Sequence, residues 1–204
     1  MAAMFGWGAH SEGQLGLGGV DAPTERPEAL TFFNNTSKQL VTAACGFNHS
    51  LFLLDDGSVY TCGSNEYGQL GHEKQQRVPE RVSALETQSV VVASCGGDHN
   101  LIITDKGQVY SWGKDERGQC GRGEGEVAKP TPRILKSFLK TVVISVASGT
   151  SHSLALSQEG HLFTFGDNSY GQLGLGDRTV THRTTPERVK CLDGVPLSSV
   201  HAGG

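Results

Sequence analysis

Cysteine pairs, long apolar runs and blocks of like charge are all missing from this sequence of 204 residues. The five cysteines include no Cys-x-x-Cys pair, the beginning has no apolar signal-peptide core, and no stretch of about twenty residues is apolar enough for a membrane helix. These absences argue against a secreted disulfide framework and against membrane insertion. We therefore expect a protein of the cytoplasm, with the nucleus as the alternative, and no membrane partner.

The charge of the chain is low and has no basic cluster. Seventeen lysines and arginines oppose 21 aspartates and glutamates, and the net charge is −4. Domains that bind nucleic acid usually carry a basic patch or tail that neutralises phosphates. We therefore predict no nucleic-acid partner. With 36% apolar residues, the chain is nevertheless typical of a globular fold.

Glycine, in contrast, is abundant, with 28 residues, and much of it lies in one repeated string. The string reads GAHSEGQLG, GSNEYGQLG, GKDERGQCG and GDNSYGQLG, and its copies recur at intervals of roughly fifty residues. We name these four segments, residues 8–16, 63–71, 113–121 and 166–174, the glycine loops. Regular recurrence at this spacing predicts a repeat protein.

Each glycine loop after the first follows a second repeated pattern. This pattern reads VTAACGFNHSLFLLDDGSVYTCG from Val41, VVASCGGDHNLIITDKGQVYSWG from Val91 and SVASGTSHSLALSQEGHLFTFG from Ser145. Each copy predicts three short strands joined by glycine turns. A proline-centred segment follows each of these loops: RVPERVSAL from Arg77, KPTPRIL from Lys129 and TTPERVKCL from Thr184. Because proline lacks the donor that a central strand needs, we predict a fourth strand there, at the sheet edge.

Four strands in every fifty or so residues are typical of the blade of a β-propeller. The repeats divide the chain at residues 1–38, 39–86, 87–139 and 140–192, with a stub at 193–204. The pattern resembles the regulator-of-chromosome-condensation repeat family, whose full domains are seven-bladed propellers. The resemblance implies an all-β propeller of four-stranded antiparallel blades, here about three full blades with terminal half-blades of an incomplete ring.

Four segments are also similar to a narrower group. They read MFGWGAHSEGQLGLGG from Met4, LDDGSVYTCG from Leu54, GQLGHEK from Gly68 and LDGVPLSSVHAGG from Leu192. These segments resemble the N-terminal propeller of the small HERC ubiquitin ligases, whose HECT catalytic domain lies far downstream. No HECT domain is present in this chain. The resemblance therefore implies a non-catalytic propeller that recruits protein partners, either ubiquitination substrates or adaptors.

Two other functions stay open at this point. The founding member of the repeat family promotes nucleotide exchange on a Ran-like small GTPase, so the resemblance also implies a GTPase regulator. Against exchange, the chain begins its first strand by about Phe5 without a basic tail, and no repeat carries an inserted hairpin. The third interpretation is a structural scaffold with no link to a ligase.

The glycine loops have a chemical and a structural interpretation. Gly63 and Gly68 have the spacing of a phosphate-binding P-loop, but glutamine and then leucine or cysteine follow where that motif needs lysine and then serine or threonine. We therefore predict no nucleotide cofactor. Instead, the glycines are expected to adopt positive φ or allow close chain approach, around a buried leucine. The predicted structural residues are Gly63, Gly68, Leu70, Gly71, Gly171, Leu173 and Gly174.

Histidine follows cysteine or serine by four residues in three repeats. The pairs are Cys45 with His49, Cys95 with His99, and Ser148 with His152. A cysteine and a histidine at this spacing suit a thiolate–imidazole nucleophile or half of a zinc site. Equivalent positions on successive blades are held apart, however, so we favour buried small residues and hydrogen-bonded structural histidines. We expect no metal and no other cofactor.

The residues that vary inside the glycine loops are the candidates for partner contact. Binding residues on rigid scaffolds are concentrated on loops, and these positions are polar or aromatic. The predicted contact residues are Asn65, Glu66, Tyr67, Lys114, Asp115, Glu116, Arg117, Asp167, Asn168 and Tyr170. The alternative is that these are simple solvated loops.

An incomplete ring is expected to expose apolar residues at its two ends. The predicted ones are Phe5, Trp7, Phe32 and Phe33 at one end, and Val189, Leu192 and Val195 at the other. Exposed patches above a few hundred Å² generally mark association or aggregation. We therefore expect self-association, chaperone binding or poor solubility through these open edges.

Overall fold

The computed structural model describes residues 4–19, 23–124, 130–177 and 179–203, and these residues form an all-β structure. A two-stranded sheet, here called the half-blade, is followed by three four-stranded antiparallel sheets, the first, second and third blades. The half-blade contains β1 (Phe5–Gly8) and β2 (Thr24–Ala29). The first blade contains β3 (Leu40–Cys45), β4 (His49–Leu54), β5 (Val59–Gly63) and β6 (Gln76–Arg81).

The second and third blades repeat this arrangement. The second contains β7 (Val90–Cys95), β8 (His99–Thr104), β9 (Val109–Gly113) and β10 (Arg133–Ile134). The third contains β11 (Val143–Ser148), β12 (His152–Ser157), β13 (Leu162–Asp167) and β14 (His182–Arg188). Short 3-10 helices follow the edge strands at Phe32–Asn35, Ser83–Leu85, Lys136–Phe138 and Lys190–Leu192. Each sheet, with its short helix, lies within one of the four predicted repeats.

The prolines lie at the outer edges of the blades. Pro79 lies in β6 and Pro186 lies in β14, and both strands pair on one side only. In the second blade, Pro132 precedes the two-residue strand β10, while Lys129 of the predicted segment lies outside the described residues. In each blade a proline therefore lies in or directly before an edge strand, where the lack of a backbone donor is tolerated.

The apolar core lies between neighbouring blades. Every residue of β4 and of β8 is buried, because these strands are covered on both faces of their sheets. One core cluster joins the first and second blades, and a second joins the second and third. Leu51 and Leu53 pack in the first cluster with Trp112, and Leu101 packs in the second with Phe165. Stacked sheets that share their cores are the arrangement of a propeller.

The residues predicted to be exposed at the two ends behave unequally. Trp7 is 60% exposed and Phe5 51%, and Phe32, Leu192 and Val195 are at least partly exposed. Phe33 and Val189 are buried, which corrects the prediction for both. Phe33 turns inward because its ring packs on Phe52 and Tyr60 of the first blade, with centroids 5.4 Å away in each case.

Among the described residues, no helix has the length and apolarity to cross a membrane.

Replacing the leucine of a glycine loop tests how the loop is packed. Leu70 is fully buried, so Leu70→Ala is expected to lower the free energy of unfolding by about 3 kcal/mol through lost contacts and a cavity. Glu66→Ala, at an exposed position of the same loop, is the control and should change stability by less than about 0.5 kcal/mol. Chemical denaturation measures both variants. Equal midpoints would show that Leu70 does not anchor the loop.

Candidate protein-interaction site

Each glycine loop is closed by its own polar side chains. In the loop of the first blade, the backbone N–H of Tyr67 donates to Gln69 Oε1 at 2.9 Å, and the N–H of Leu70 donates to Asn65 Oδ1 at 3.0 Å. The same two bonds recur in the other three loops, with His10 Nδ1, Asp115 Oδ1 and Asn168 Oδ1 in the place of Asn65 Oδ1. The loops are therefore rigid platforms rather than solvated coils.

These bonds give four of the predicted contact residues a structural role. Asn65, Asp115 and Asn168 turn into their loops to accept the leucine or cysteine N–H, and Asn168 also donates to the carbonyl of Val180. Asp167 accepts from the side-chain amide of Gln172 at 2.7 Å. A side chain that satisfies buried backbone groups cannot turn outward without leaving them unpaired. Asn65, Asp115 and Asn168 therefore hold the loops, and Asp167 orients the side chain of Gln172.

The glycines of the loops allow the neighbouring blade to approach. The predicted glycines Gly63, Gly68, Gly71, Gly171 and Gly174 all have positive φ. A Cβ on Gly68 would lie 2.6 Å from the Cα of Pro130, which begins the edge segment of the second blade. A Cβ on Gly118 would lie 2.5 Å from Thr184 Cα, in the third blade. The loops therefore act as joints between blades.

A hydrogen-bonded relay crosses the joint between the first and second blades and the joint between the second and third. His49 Nε2 lies 2.8 Å from Asn100 Oδ1 on the second blade, and Asn100 Nδ2 donates back to the carbonyl of Gln69 at 2.7 Å. One blade further on, His99 Nε2 lies 2.8 Å from Ser153 Oγ, whose hydroxyl donates to the carbonyl of Gln119. At both joints these hydrogen bonds connect the histidine and the glycine loop of one blade to a side chain of the next blade.

The relay fixes the neutral form of the histidines. Asn100 Oδ1 can only accept, and the Ser153 hydroxyl proton is directed to Gln119, so we assign the proton of both rings to Nε2. Burial lowers the pKa of His49 to about 4 and that of His99 to about 3. Burial also lowers the pKa of His152, which is only half-buried. The rings of His49 and His99 are therefore uncharged structural donors at neutral pH.

The cysteines show no catalytic arrangement in the described part of the chain. Cys45 is exposed, which corrects the expectation that this small residue is buried. Burial raises the pKa of the Cys62 thiol to about 12 and raises the pKa of the Cys95 thiol well above its usual value. A reactive cysteine needs a lowered pKa. No group of three or more histidine, cysteine or acidic residues is placed to hold a metal within the described residues.

The remaining predicted contact residues lie on one end of the blades, which we name the loop face. The glycine loops meet there with the short loops that follow β3, β7 and β11, because the N–H of Ser64 and of Lys114 donate to the carbonyls of Asn48 and Asp98. The tight turns at residues 55–58 and 105–108 lie at the opposite end, the hairpin face.

Three of the predicted residues meet across the joint between the first and second blades. Lys114 Nζ lies 4.2 Å from the centre of the Tyr67 ring and 3.5 Å from a carboxylate oxygen of Glu116. Glu66 and Arg117 are exposed beside them, and Tyr170 of the third blade is 94% exposed. The loop face therefore presents aromatic and charged side chains on a rigid base.

Two further residues of the loop face were missed in the sequence. Phe47 is 61% exposed, and its backbone N–H donates to Gly97 of the next blade. Asp98 is partly buried beside Lys114 and Glu66; burial raises the pKa of its carboxyl, Lys114 opposes this shift and Glu66 adds to it. The sequence could have indicated Phe47, because the equivalent positions of the other two repeats hold the smaller residues Gly97 and Thr150.

Blades of this type, joined by glycine loops, define a β-propeller built of repeats. A family model described as the RCC1-like domain matches residues 2–204, and the chain therefore belongs to the RCC1-like domain family. This result and the fold confirm the predicted all-β propeller and the resemblance to the regulator-of-chromosome-condensation repeats.

The relatives of the chain include HERC proteins. The human "Probable E3 ubiquitin-protein ligase HERC4" is 52% identical over 202 residues, which are 98% of this chain and 19% of that protein. Human HERC3, of the same description, is 49% identical over the same shares. The chain thus spans about a fifth of these relatives, and the similarity to HERC proteins is confirmed for their RCC1-like region.

Solved structures extend the comparison to yeast. Prp20p from Saccharomyces cerevisiae, a protein with binding properties toward Gsp1p and histones, has a TM-score of 0.78 and 26% identity to this chain. The match covers 99% of this chain and 50% of Prp20p. The blades described above therefore have the geometry of a known propeller of this family.

Proposed function

We propose that this chain is a protein-binding propeller that recruits substrates or adaptors for a HERC-type ubiquitin ligase, and that it performs no chemistry itself. The extent of the similarity to HERC4 and HERC3 supports the connection to ubiquitin ligases. His49 and His99 are engaged in the relay, and the pKa of the buried thiol of Cys62 and that of Cys95 are raised rather than lowered, which supports a binding rather than a catalytic role.

The cluster of Tyr67, Lys114 and Glu116 is the observation that carries this proposal. These residues come from two different blades and are held in place by the closed glycine loops. Tyrosine and arginine are favoured anchors at protein interfaces, and Arg117 and Tyr170 are exposed nearby on the same face. A partner that binds here would contact preorganised side chains, which lowers the entropic cost of binding.

Charge reversal on the loop face tests the proposal. The test variant carries Glu66→Lys, Glu116→Lys and Arg117→Glu. We expect affinity purification with it to recover about tenfold less partner, because charges at the edge of an interface determine specificity and association rate. The control carries Asp105→Lys and Lys106→Glu on the hairpin face and should recover partners normally. Circular dichroism checks that both variants fold. Loss of binding only in the control would assign the contact to the hairpin face.

Regulation of a small GTPase is the second candidate function. The similarity to Prp20p, whose binding properties include Gsp1p, is the observation that favours it. A nucleotide-release assay with a purified Ran-like GTPase separates the two functions. We expect no acceleration of release by this chain, whereas a dose-dependent acceleration would favour the exchange function over recruitment.

A further inference from the structure

Two connecting segments with the same backbone join the blades on the hairpin face. We name residues 83–89 the first connector and residues 136–142 the second connector. Each begins with a short 3-10 helix that ends at a buried residue, Leu85 in the first and Phe138 in the second. The carbonyl of the last residue of each connector accepts a hydrogen bond from the hairpin turn of the next blade. The two connectors can therefore be compared position by position.

The exposed side chains of the two connectors differ in their chemistry. At four exposed positions the first connector carries Ser83, Glu86, Thr87 and Ser89, and the second carries Lys136, Leu139, Lys140 and Val142. Leu139 is 59% exposed and Val142 is 47% exposed. The fold does not need apolar residues there, because the first connector makes the same backbone bond with Glu86 and Ser89 at these positions. The two exposed apolar residues therefore call for another explanation.

The core of the protein supports these two residues from below. The ring of Phe138 is buried and packs on Phe163 of the third blade, with 5.3 Å between the ring centroids. A Cβ on Gly107, in the turn of the second blade, would lie 2.6 Å from Cγ1 of Val142. Leu139 and Val142 are thus presented on a fixed backbone. Neighbouring exposed apolar residues on a rigid surface are typical of interaction sites.

Two lysines give this surface an excess of positive charge. Lys136 and Lys140 are exposed in the same connector. In the adjacent turn of the second blade, Asp105 is offset by Lys106, and the turn of the third blade adds the carboxylate of Glu159. Local positive charge in a chain of net charge −4 favours a partner of negative charge. We name Leu139, Lys140 and Val142 the connector patch.

We propose that the connector patch binds a segment of a protein partner that carries aspartate or glutamate beside apolar side chains. The apolar side chains of the partner would cover Leu139 and Val142, and its carboxylates would pair with Lys140 and Lys136. A membrane surface also attracts lysines beside apolar residues, but it usually needs a cluster of roughly four to eight basic residues. The connector patch lies at the opposite end of the blades from the loop face. It is therefore a second surface, independent of the recruitment proposed above.

Selection of peptides on the whole 204-residue chain tests this proposal. The probe is a display library of random peptides, each of about twelve residues. Peptides that bind a variant with Leu139→Glu and Val142→Ser are removed. This variant carries the residues of the first connector, so it is expected to keep the fold, and circular dichroism checks this. We expect the remaining peptides to combine acidic and apolar residues, and a synthetic copy to bind the original chain about tenfold more tightly than the variant.

Further variants separate the charge from the apolar contact. Lys140→Glu should weaken binding of the same peptide about fivefold, because it reverses a charge beside the apolar residues. The control carries Glu86→Ala and Ser89→Ala in the first connector and should bind the peptide as the original chain does.

Three results would overturn the proposal. The first is a selection that leaves no peptide dependent on Leu139 and Val142. The second is a set of such peptides without acidic residues. The third is sedimentation of the original chain, but not of the Leu139→Glu and Val142→Ser variant, with phosphatidylserine vesicles, which would assign the connector patch to a membrane.

Discussion

Gly96→Ala is expected to lower the free energy of unfolding by about 4 kcal/mol or more, a loss at the extreme end for a single added methyl group. The new Cβ would lie 2.2 Å from Cε1 of His99 and 2.4 Å from the carbonyl oxygen of Gly149 on the third blade. Both neighbours are buried in the joint, so neither the ring nor the backbone can move without breaking the relay.

Two other glycines at the same repeat position, Gly149 and Gly203, give matched comparisons for Gly96. Gly149→Ala meets Cε1 of His152 at 2.2 Å and the carbonyl oxygen of Gly203 at 2.5 Å, but this ring is half-buried and Gly203 is exposed, so both can shift and we expect a smaller loss. Gly203→Ala meets nothing within 4 Å and should change stability by less than about 0.5 kcal/mol. Denaturant unfolding of the three variants gives the order directly. Equal losses at Gly96 and Gly203 would show that the joint does not depend on close approach.

The repeat architecture could be predicted because its signals are local. Strand periodicity, the turn glycines and the edge prolines each act within a few residues, so aligning the copies placed the strands of every blade. Leu70 and Leu173 were identified as buried because an apolar residue between two turn glycines has few other places to go. Burial at this level follows from the hydrophobic effect and from chain geometry alone.

The joints between blades could not be predicted, because they connect residues from different repeats. His49 and Asn100 are 51 positions apart, and the sequence indicates only that the histidine recurs and that serine or asparagine follows it. Asn65 and Asn168 were assigned to the partner surface because short polar side chains in loops can face either solvent or the backbone. In these two loops the backbone N–H of the leucine needs an acceptor, and the asparagine side chain turns inward to provide it.

Acid is expected to unfold this propeller in a window set by the buried histidines. With folded pKa values of about 4 for His49 and about 3 for His99, and about 6.5 in the unfolded chain, both rings are neutral in both states above pH 6.5. Below that pH only the unfolded chain binds protons, so the free energy of unfolding falls as the pH falls. Each histidine contributes about 1.4 kcal/mol per pH unit, until its folded pKa is reached.

The structural reason is that a second ring proton has no acceptor. Nδ1 of His49 and of His99 is buried without a hydrogen-bond partner and faces the backbone of Gly46 or Gly96. Protonation there would create a buried, unpaired charge, which costs far more than an unpaired neutral group. Asp56, whose pKa is lowered to about 2, chiefly by its bond to Ser58, loses its stabilising contribution only at lower pH, below about 4.

Urea unfolding at pH 7 and at pH 5 measures the effect. We expect the two histidines together to cost roughly 4 kcal/mol between these values, and His49→Gln should lose about half of that dependence. His201→Gln, which removes an exposed imidazole, is the control and should keep the full dependence. A free energy of unfolding that stays constant from pH 7 to pH 5 would contradict the neutral relay, because it would mean that His49 and His99 accept protons in the folded chain as readily as in the unfolded one.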